Sequence, residues 1–223
     1  MNYNMNHIIK TRENINLNIN NILKNTYILL SLTVLFSALI VFFSIKLNTR
    51  SVNIFVTLIV SIGLLFFINV YKNSSLGLLG VFSFTGFLGY TSGPIINHYL
   101  SLTNGKELIL FSLLSTGMMF SVLSLYVLFT KKNFDFLGGF LYIGFFVILA
   151  CIIFNFFFNT PVIHLTLSGL MIILCSLMIL YDTSRLVNGG ETNYILATIS
   201  IYLNIYNMFL SLLAIFDFFF SRD

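Results

Sequence analysis

The chain has 223 residues, of which 58% are hydrophobic and only 8% are charged. Because a soluble domain carries about 25% charged residues, this composition excludes a soluble globule and indicates a protein that lies in a lipid bilayer. Most of the lysines and arginines behind the formal net charge of +4 stand singly in short loops. This distribution is typical of membrane topology signals and gives no indication of a nucleic-acid partner.

The first 25 residues are polar, and nine of them are asparagine. They contain no long apolar run, and we expect them to form a cytoplasmic tail that is disordered or weakly structured. Residues 1–25 are therefore predicted to be separate from the membrane domain that follows.

Seven apolar runs follow the tail, each about as long as the twenty residues that cross a bilayer as a helix. The runs are continuous and do not alternate, which favours helices over the strands of a barrel. Short connections predict that neighbours pack antiparallel, so residues 26–223 form one all-α membrane domain. The predicted spans are roughly 26–45, 52–71, 77–99, 108–130, 136–158, 161–181 and 193–219.

The third run is rich in glycine and reads GLLGVFSFTGFLGYTSGPIINHYL. Gly86, Gly89 and Gly93 recur at helical spacing, so they lie on one face, where small residues let another helix approach closely. We interpret them as helix-packing residues. Pro94 follows directly and is expected to kink or end the regular helix.

A stripe of polar or small residues runs along the seventh segment at steps of three and four, which places it on one helix face. Lipid would penalise the amides of this stripe, so the stripe faces protein or water, and the seventh helix is predicted to be surrounded by the others. The stripe either forms a hydrogen-bonded contact with other helices or lines a polar path. It consists of Asn193, Ala197, Ser200, Asn204, Asn207 and Ser211.

Asp182 ends the sixth run, in the stretch ILYDTSRLVNGGETNYI. An acid at a helix C-terminus and close to hydrocarbon needs compensation. Arg185, three residues later, is near enough to pair with it if the helix continues, and the polar stripe offers hydrogen-bond donors. Asp182 is therefore either a group that senses pH or an ordinary solvated acid at the membrane edge.

No arrangement typical of an enzyme or a metal site is found. Cys151 and Cys175 lie inside apolar runs without a metal or redox motif, and His98 and His164 have no acid or cysteine spaced to join them. Thr160 and Pro161 read as the N-cap and first residue of the sixth helix. We expect no catalytic residues, no metal and no cofactor.

The distribution of Lys and Arg predicts the orientation. With a cytoplasmic N-terminus, seven lie on the cytoplasmic side and four on the other, which also places the C-terminus in the periplasm. The seven are Lys10, Arg12, Lys24, Lys72, Lys131, Lys132 and Arg185, and the four are Lys46, Arg50, Lys106 and Arg222.

Several segments resemble the bacterial YccA branch of the Bax inhibitor-1 family of seven-helix membrane proteins. They are FTGFLGYTSGPIINHYL, FLGG, LYDTSRLVNGGETNYILATISIYLNIYNMFLSLL and the closing SRD. The resemblance runs from KNTYILLSLT onward and is strongest in the last forty residues. It implies a bundle of six helices around a central seventh.

The resemblance also implies two alternative functions. Members that leak calcium or protons are thought to use two acids, of which the first matches Asp182 and the second falls at Asn204, so this chain lacks it. The YccA branch is instead associated with restraint of the membrane-bound, ATP-dependent protease FtsH. The resemblance thus implies an inner-membrane modulator of an FtsH-type protease; the alternative is a pH-sensitive calcium or proton leak gated at Asp182, with Arg185, Asn204 and Asn207 as further candidates.

Overall fold

A computed structural model describes the backbone of residues 2–158 and 160–220, and the side chains of 17–155, 157 and 160–220. The described chain is all-helical, and each of its seven helices contains a segment long and apolar enough to cross a membrane. The predicted fold class is confirmed. The helices are α1 Asn2–Lys46, α2 Ile54–Tyr71, α3 Ser75–Leu100, α4 Gly105–Thr130, α5 Leu137–Phe158, α6 Pro161–Val187 and α7 Tyr194–Phe220.

Helix α7 lies at the centre of the bundle, where it contacts α1, α2, α3, α4 and α6. Its burial inside the protein is exceeded only by that of α3 among the described spans. Helix α5 lies outside this arrangement, because among the described helices it packs against α6 alone. The predicted ring of six helices around the seventh therefore holds for five of them, and α5 is a peripheral helix.

Three glycines of α3 face α1, and we call this contact the glycine seam. Gly86 lies against Phe36, Gly89 against Ser37 and Gly93 against Ser44. A Cβ atom on Gly89 would stand 2.6 Å from the carbonyl oxygen of Ser37, which is closer than non-bonded atoms approach. Helices α1 and α3 can therefore pack backbone to backbone, as small residues permit in membranes.

Helix α3 continues through Pro94 and ends at Leu100, so of the two outcomes expected at this proline, a kink or an end, the helix does not end. Pro94 has no N–H, and the carbonyl of Tyr90 one turn earlier loses its helical partner. The hydroxyl of Ser44 in α1 donates to that carbonyl at 2.9 Å. A hydroxyl from the neighbouring helix thus replaces the missing N–H and allows the helix to continue.

Helix α1 begins at Asn2 and has 45 residues, a length of about 67 Å at 1.5 Å per residue. The expectation of a disordered or weakly structured tail over 1–25 is therefore wrong for residues 2–25. A membrane span provides a formed helical turn from which further residues extend the helix at little cost, and Ile19 packs against Gly189 of the α6–α7 turn.

Candidate functional site

Asp182 lies inside α6, which continues one and a half turns past the predicted end at residue 181 and stops at Val187. The side chain is half-buried and faces α7. The sequence pattern missed this extension because Thr183 and Ser184 are polar, although both are fully buried in the bundle.

One oxygen of Asp182 accepts two hydrogen bonds from α7. Ser200 Oγ donates to Asp182 Oδ2 at 2.6 Å, and Asn204 Nδ2 donates to the same oxygen at 3.0 Å. Ser200 and Asn204 are four residues apart, so one turn of α7 presents both donors to a single carboxylate. We call Asp182, Ser200 and Asn204 the Asp182 cluster, and it fastens α6 to α7 inside the bundle.

Arg185 makes its direct contacts with the turn after α6 and with Tyr181. Its guanidinium donates to the Gly190 carbonyl at 2.7 Å, forms an ion pair with Glu191 at 3.7 Å, and lies 5.6 Å from the Tyr181 ring centroid. In the described part of the chain no ion pair joins it to Asp182. Neutral donors of α7 make the direct contacts with Asp182, while the turn after α6 brings Glu191 to the arginine.

The remaining residues of the polar stripe have different environments. Asn193 caps α7, since its side-chain oxygen accepts from the backbone N–H groups of Ile195 and Leu196. Ala197 and Ser211 are buried against other helices. Asn207 is half-buried, and no hydrogen bond of the described chain joins it to Asp182. The stripe thus faces protein, and its contact with α6 is made by Ser200 and Asn204.

The loops at this end of the bundle, which we call the Asp182 end, are tied together across helices. Asn193 Nδ2 donates to the Lys72 carbonyl at 3.0 Å, which joins the α2–α3 and α6–α7 connections. Ser184 Oγ donates to the Lys132 carbonyl at 3.1 Å and accepts from the Phe134 N–H at 2.8 Å. These bonds hold the α4–α5 connection against α6, so the loops of this end form one connected surface.

Two tyrosines of α7 have partners that the sequence pattern did not reveal. Tyr202 donates to Ser37 Oγ at 2.7 Å, and the Tyr206 hydroxyl lies 2.9 Å from Ser92 Oγ. Their spacing of four residues, on a helix predicted to be central, places both hydroxyls on one buried face, and this was the signal in the sequence that they need partners. Together with the Asp182 cluster, they give α7 polar contacts to α1, α3 and α6.

The geometry of the Asp182 cluster favours a hydrogen-bonded contact between helices that contains one ionisable group. A carboxylate in a poorly solvated place is stabilised by hydrogen bonds from neutral donors, which are stronger there than in water. Within the described residues, no group of three or more His, Cys, Asp and Glu side chains comes together. The candidate site is therefore the single carboxylate of Asp182 with one hydroxyl neighbour, Ser200, and one amide neighbour, Asn204.

Comparison with known proteins gives consistent matches along nearly the whole chain. The family model described as inhibitor of apoptosis-promoting Bax1 matches residues 19–221. An uncharacterized protein of Pseudomonas aeruginosa is 46% identical over 198 residues, which cover 89% of each chain. A protein of Escherichia coli K12 named modulator of FtsH protease YccA is 45% identical over 202 residues, which cover 91% of each chain. The protein named inner membrane protein YccA in E. coli O6:H1 has the same identity and coverage.

Proposed function

This chain belongs to the Bax inhibitor-1 family as a multi-pass inner-membrane protein, and we propose that it binds a membrane-bound, ATP-dependent protease of the FtsH type and restrains the protease's action on other membrane proteins. The observation that carries the proposal is the 45% identity, across 91% of both chains, to an E. coli protein named as a modulator of that protease. The proposal assigns the chain no catalytic step.

Resistance to extraction supports restraint as the form of modulation. An ATP-driven protease removes a membrane protein by pulling its spans out of lipid. Here α1 is locked to α3 through the glycine seam and to α7 through the bond of 2.7 Å between Tyr202 and Ser37. Pulling on α1 must therefore separate close-packed backbones and break buried hydrogen bonds, so a protease that engages this chain is occupied for longer than by a loosely packed substrate.

The Asp182 end supports the same proposal as a contact surface for the protease. Its loops carry charged residues on a surface that cross-helix bonds hold together. A preorganised surface loses little conformational freedom on binding, which favours association. The proposed orientation places this end in the cytoplasm, where an ATPase has access to nucleotide, because seven Lys and Arg residues lie on that side against four on the other.

Topology reporters test the orientation on which this assignment depends. Fusions after Lys132 and after Asp223 should report the cytoplasm and the periplasm, respectively, because three helices separate the two positions. The same compartment for both fusions, or the reverse assignment, would remove the Asp182 end from the cytoplasm.

Binding is tested with purified proteins in liposomes. The tagged chain and an FtsH-type protease are reconstituted together, treated with a short amine-reactive cross-linker and separated after solubilisation. We expect cross-links between the protease and the lysines of the Asp182 end, Lys72, Lys131 and Lys132. Lys46 and Lys106 at the opposite end serve as the internal control. Cross-links confined to that opposite end would contradict the proposed contact, and an absence of cross-links at both ends would contradict binding.

A second candidate function is a pH-sensitive calcium or proton leak gated at Asp182. The observation that favours it is the 3.0 Å contact between Asp182 and Asn204, since Asn204 occupies the position where leaking members of the family are expected to have a second acid. Asn204→Asp would place two carboxylates together, and these can share a proton.

A flux assay separates the two candidates. The parent chain is reconstituted in liposomes that contain a calcium dye, and the fluxes of Asn204→Asp and of Asn207→Asp are compared with it. Asn207→Asp adds the same charge one turn away, without a hydrogen bond to Asp182 in the described structure. Flux through the parent that is lost in Asp182→Asn would support the leak. Flux that rises in Asn204→Asp alone would show that a second acid at this position opens the path.

A further inference from the structure

Helices α1 and α4 both pack against α7. They touch each other at the Tyr27–Phe120 ring pair, whose centroids lie 6.2 Å apart, while farther along their backbones stay apart. A cavity of about 330 Å³ lies between them, and we call it the α1–α4 cleft. Its side walls are mainly apolar and its floor is formed by α3 and α7. The walls and floor include Val34, Ser37, Leu113, Gly117, Tyr202 and Tyr206.

The cleft opens sideways toward the hydrocarbon of the bilayer. Val34 on one rim is 38% exposed and Leu113 on the other is 54% exposed. Gly117 lies on the same rim as Leu113, and a Cβ atom added to it would meet nothing within 4 Å. From Ile109 to Gly117 the cleft follows two turns of α4, about 12 Å, which is close to the roughly 15 Å depth of one leaflet.

The polar groups on the floor of the cleft are already paired with one another. Tyr202 is bonded to Ser37 and Tyr206 to Ser92, and the two tyrosine rings lie nearly parallel at an angle of 16°. A ligand in the cleft therefore needs no hydrogen-bonding group there. The floor presents flat aromatic surface, which suits an apolar occupant.

The size of the cleft decides between two apolar occupants that the membrane offers. A transmembrane helix with side chains is about 10 Å across, and a single turn of it would exceed 330 Å³. A methylene group takes about as much room as a water molecule, roughly 30 Å³. The cleft thus accommodates a segment of about ten methylenes, which is the part of an acyl chain that lies within one leaflet.

A lysine stands where the headgroup of such a lipid would lie. Lys106 is at the start of α4 and precedes Leu113 by seven residues and Gly117 by eleven. These spacings place all three on one stripe of the helix. The stripe leads from the rim of the cleft to the membrane surface, where the Lys106 ammonium can reach a phosphate. Glu107 is next to it, which adds an acceptor for a headgroup amine.

We propose that the α1–α4 cleft is a binding site for one bilayer glycerophospholipid, with one acyl chain on the Tyr202–Tyr206 floor and its phosphate at Lys106. The bound chain fills the gap between α1 and α4 and completes the packing of the bundle in that leaflet. This inference does not depend on the proposed protease partner.

Native mass spectrometry of the full chain tests the proposal. Protein is purified from membranes in mild detergent, and the phospholipid it retains is counted for the parent, for Gly117→Phe and for Gly63→Phe. The Gly117 variant places a ring in the cleft. Gly63 lies on α2, is equally open to lipid and provides the matched control. We expect one retained phospholipid on the parent and on Gly63→Phe, and none on Gly117→Phe.

A second measurement keeps the test decisive if the phenylalanine variant folds poorly. The parent chain is reconstituted in vesicles of phosphatidylethanolamine and phosphatidylglycerol that contain phosphatidylglycerol with a photoreactive diazirine at mid-chain. Illumination should label peptides containing 109–117 and 202–209 several-fold more than the lipid-facing α2. Equal labelling of all lipid-facing helices would overturn the proposal. Retention of the phospholipid by a folded Gly117→Phe variant in native mass spectrometry would also overturn it. So would a parent chain that appears as a dimer without bound lipid, because a second copy of the chain would then cover the cleft.

Discussion

At the scale of single residues, two polar groups inside the bundle are satisfied by partners from neighbouring helices. Asp182 receives its hydrogen bonds from α7, and the Tyr90 carbonyl, left without an N–H by Pro94, receives one from Ser44 of α1. An unpaired polar group in this environment is costly, so each of these bonds also fixes which helices lie together. The need to pair these polar groups thus helps to determine that α6 packs on α7 and α3 on α1.

Asp182→Ala should destabilise the bundle more than Asp182→Asn. Alanine leaves the donors of Ser200 and Asn204 without an acceptor, which we expect to cost about 1–3 kcal/mol. Asparagine retains an oxygen at the same place and should cost less. Unfolding in mixed micelles with increasing SDS at neutral pH measures both free energies. Equal losses for the two variants would contradict the role of the Asp182 cluster as a fastening between α6 and α7.

Ser44 and Pro94 should be energetically coupled. Ser44→Ala removes the donor that serves the Tyr90 carbonyl, at an expected cost of about 1 kcal/mol. Pro94→Ala restores an N–H to that carbonyl, so Ser44→Ala should cost clearly less in the Pro94→Ala background. The double-mutant cycle measured by SDS unfolding isolates this coupling. Additive losses would mean that the hydroxyl does not replace the missing N–H.

At the scale of helices, close approach of backbones is concentrated in the glycine seam, and this gives a prediction with a matched control. Gly89→Ala adds a methyl group whose ideal position lies 2.6 Å from the Ser37 carbonyl oxygen. This overpacking should lower the free energy of unfolding by about 1–3 kcal/mol. Gly169→Ala in α6 meets nothing within 4 Å and should be neutral or slightly stabilising because alanine favours helix. Thermal unfolding in detergent compares them, and similar melting temperatures would argue against the seam.

The number and order of the spans could be predicted because the bilayer demands long apolar helices, a requirement that hydropathy reports directly. The ends of the helices could not, because tertiary contacts decide them. Helix α3 passes Pro94 through a hydroxyl of another helix, and α6 reaches Val187 because buried neighbours surround Thr183 and Ser184. The peripheral position of α5 also depends on packing, since its sequence is as apolar as that of any other span.

The candidate site was predicted in part. The polar stripe and the resemblance to the family both indicate, from the sequence alone, that Asp182 and Asn204 lie close together. In the described structure Arg185 pairs with Glu191, because the turn after α6, where Gly189 adopts a positive φ of 74°, returns Glu191 to the arginine. Spacing along a helix shows which residues can meet, but it does not show where the chain goes after the helix ends.

At the scale of the whole molecule, α1 joins a polar N-terminal extension, residues 2–16, to a part of the bundle that the glycine seam holds tightly. Helix α1 begins at Asn2, and its residues 2–16 add about 22 Å to the helix. Ile19 packs on the α6–α7 turn, so the bundle includes α1 at residue 19. The extension is thus a polar segment attached to a helix that the glycine seam resists releasing.

Deleting residues 2–16 should leave the bundle folded and make the chain longer-lived in cells that contain an FtsH-type protease. The reason is that a pulling protease needs an end to grip, while residues 2–16 are polar and contain no long apolar run that would hold them in the bundle. Pulse-chase lifetimes of the full and shortened chains, with and without the protease, make the comparison. Four identical lifetimes would remove the extension from the interaction.

The central claim is restraint of the protease, and reconstituted degradation measures it most directly. An FtsH-type protease, an unstable membrane-protein substrate and ATP are combined in liposomes with increasing amounts of this chain, and a soluble unfolded substrate serves as the control. The account predicts that degradation of the membrane substrate slows to a plateau as the chain is added, while degradation of the soluble substrate changes less. Unchanged degradation of the membrane substrate, in liposomes shown to contain both proteins, would contradict the account.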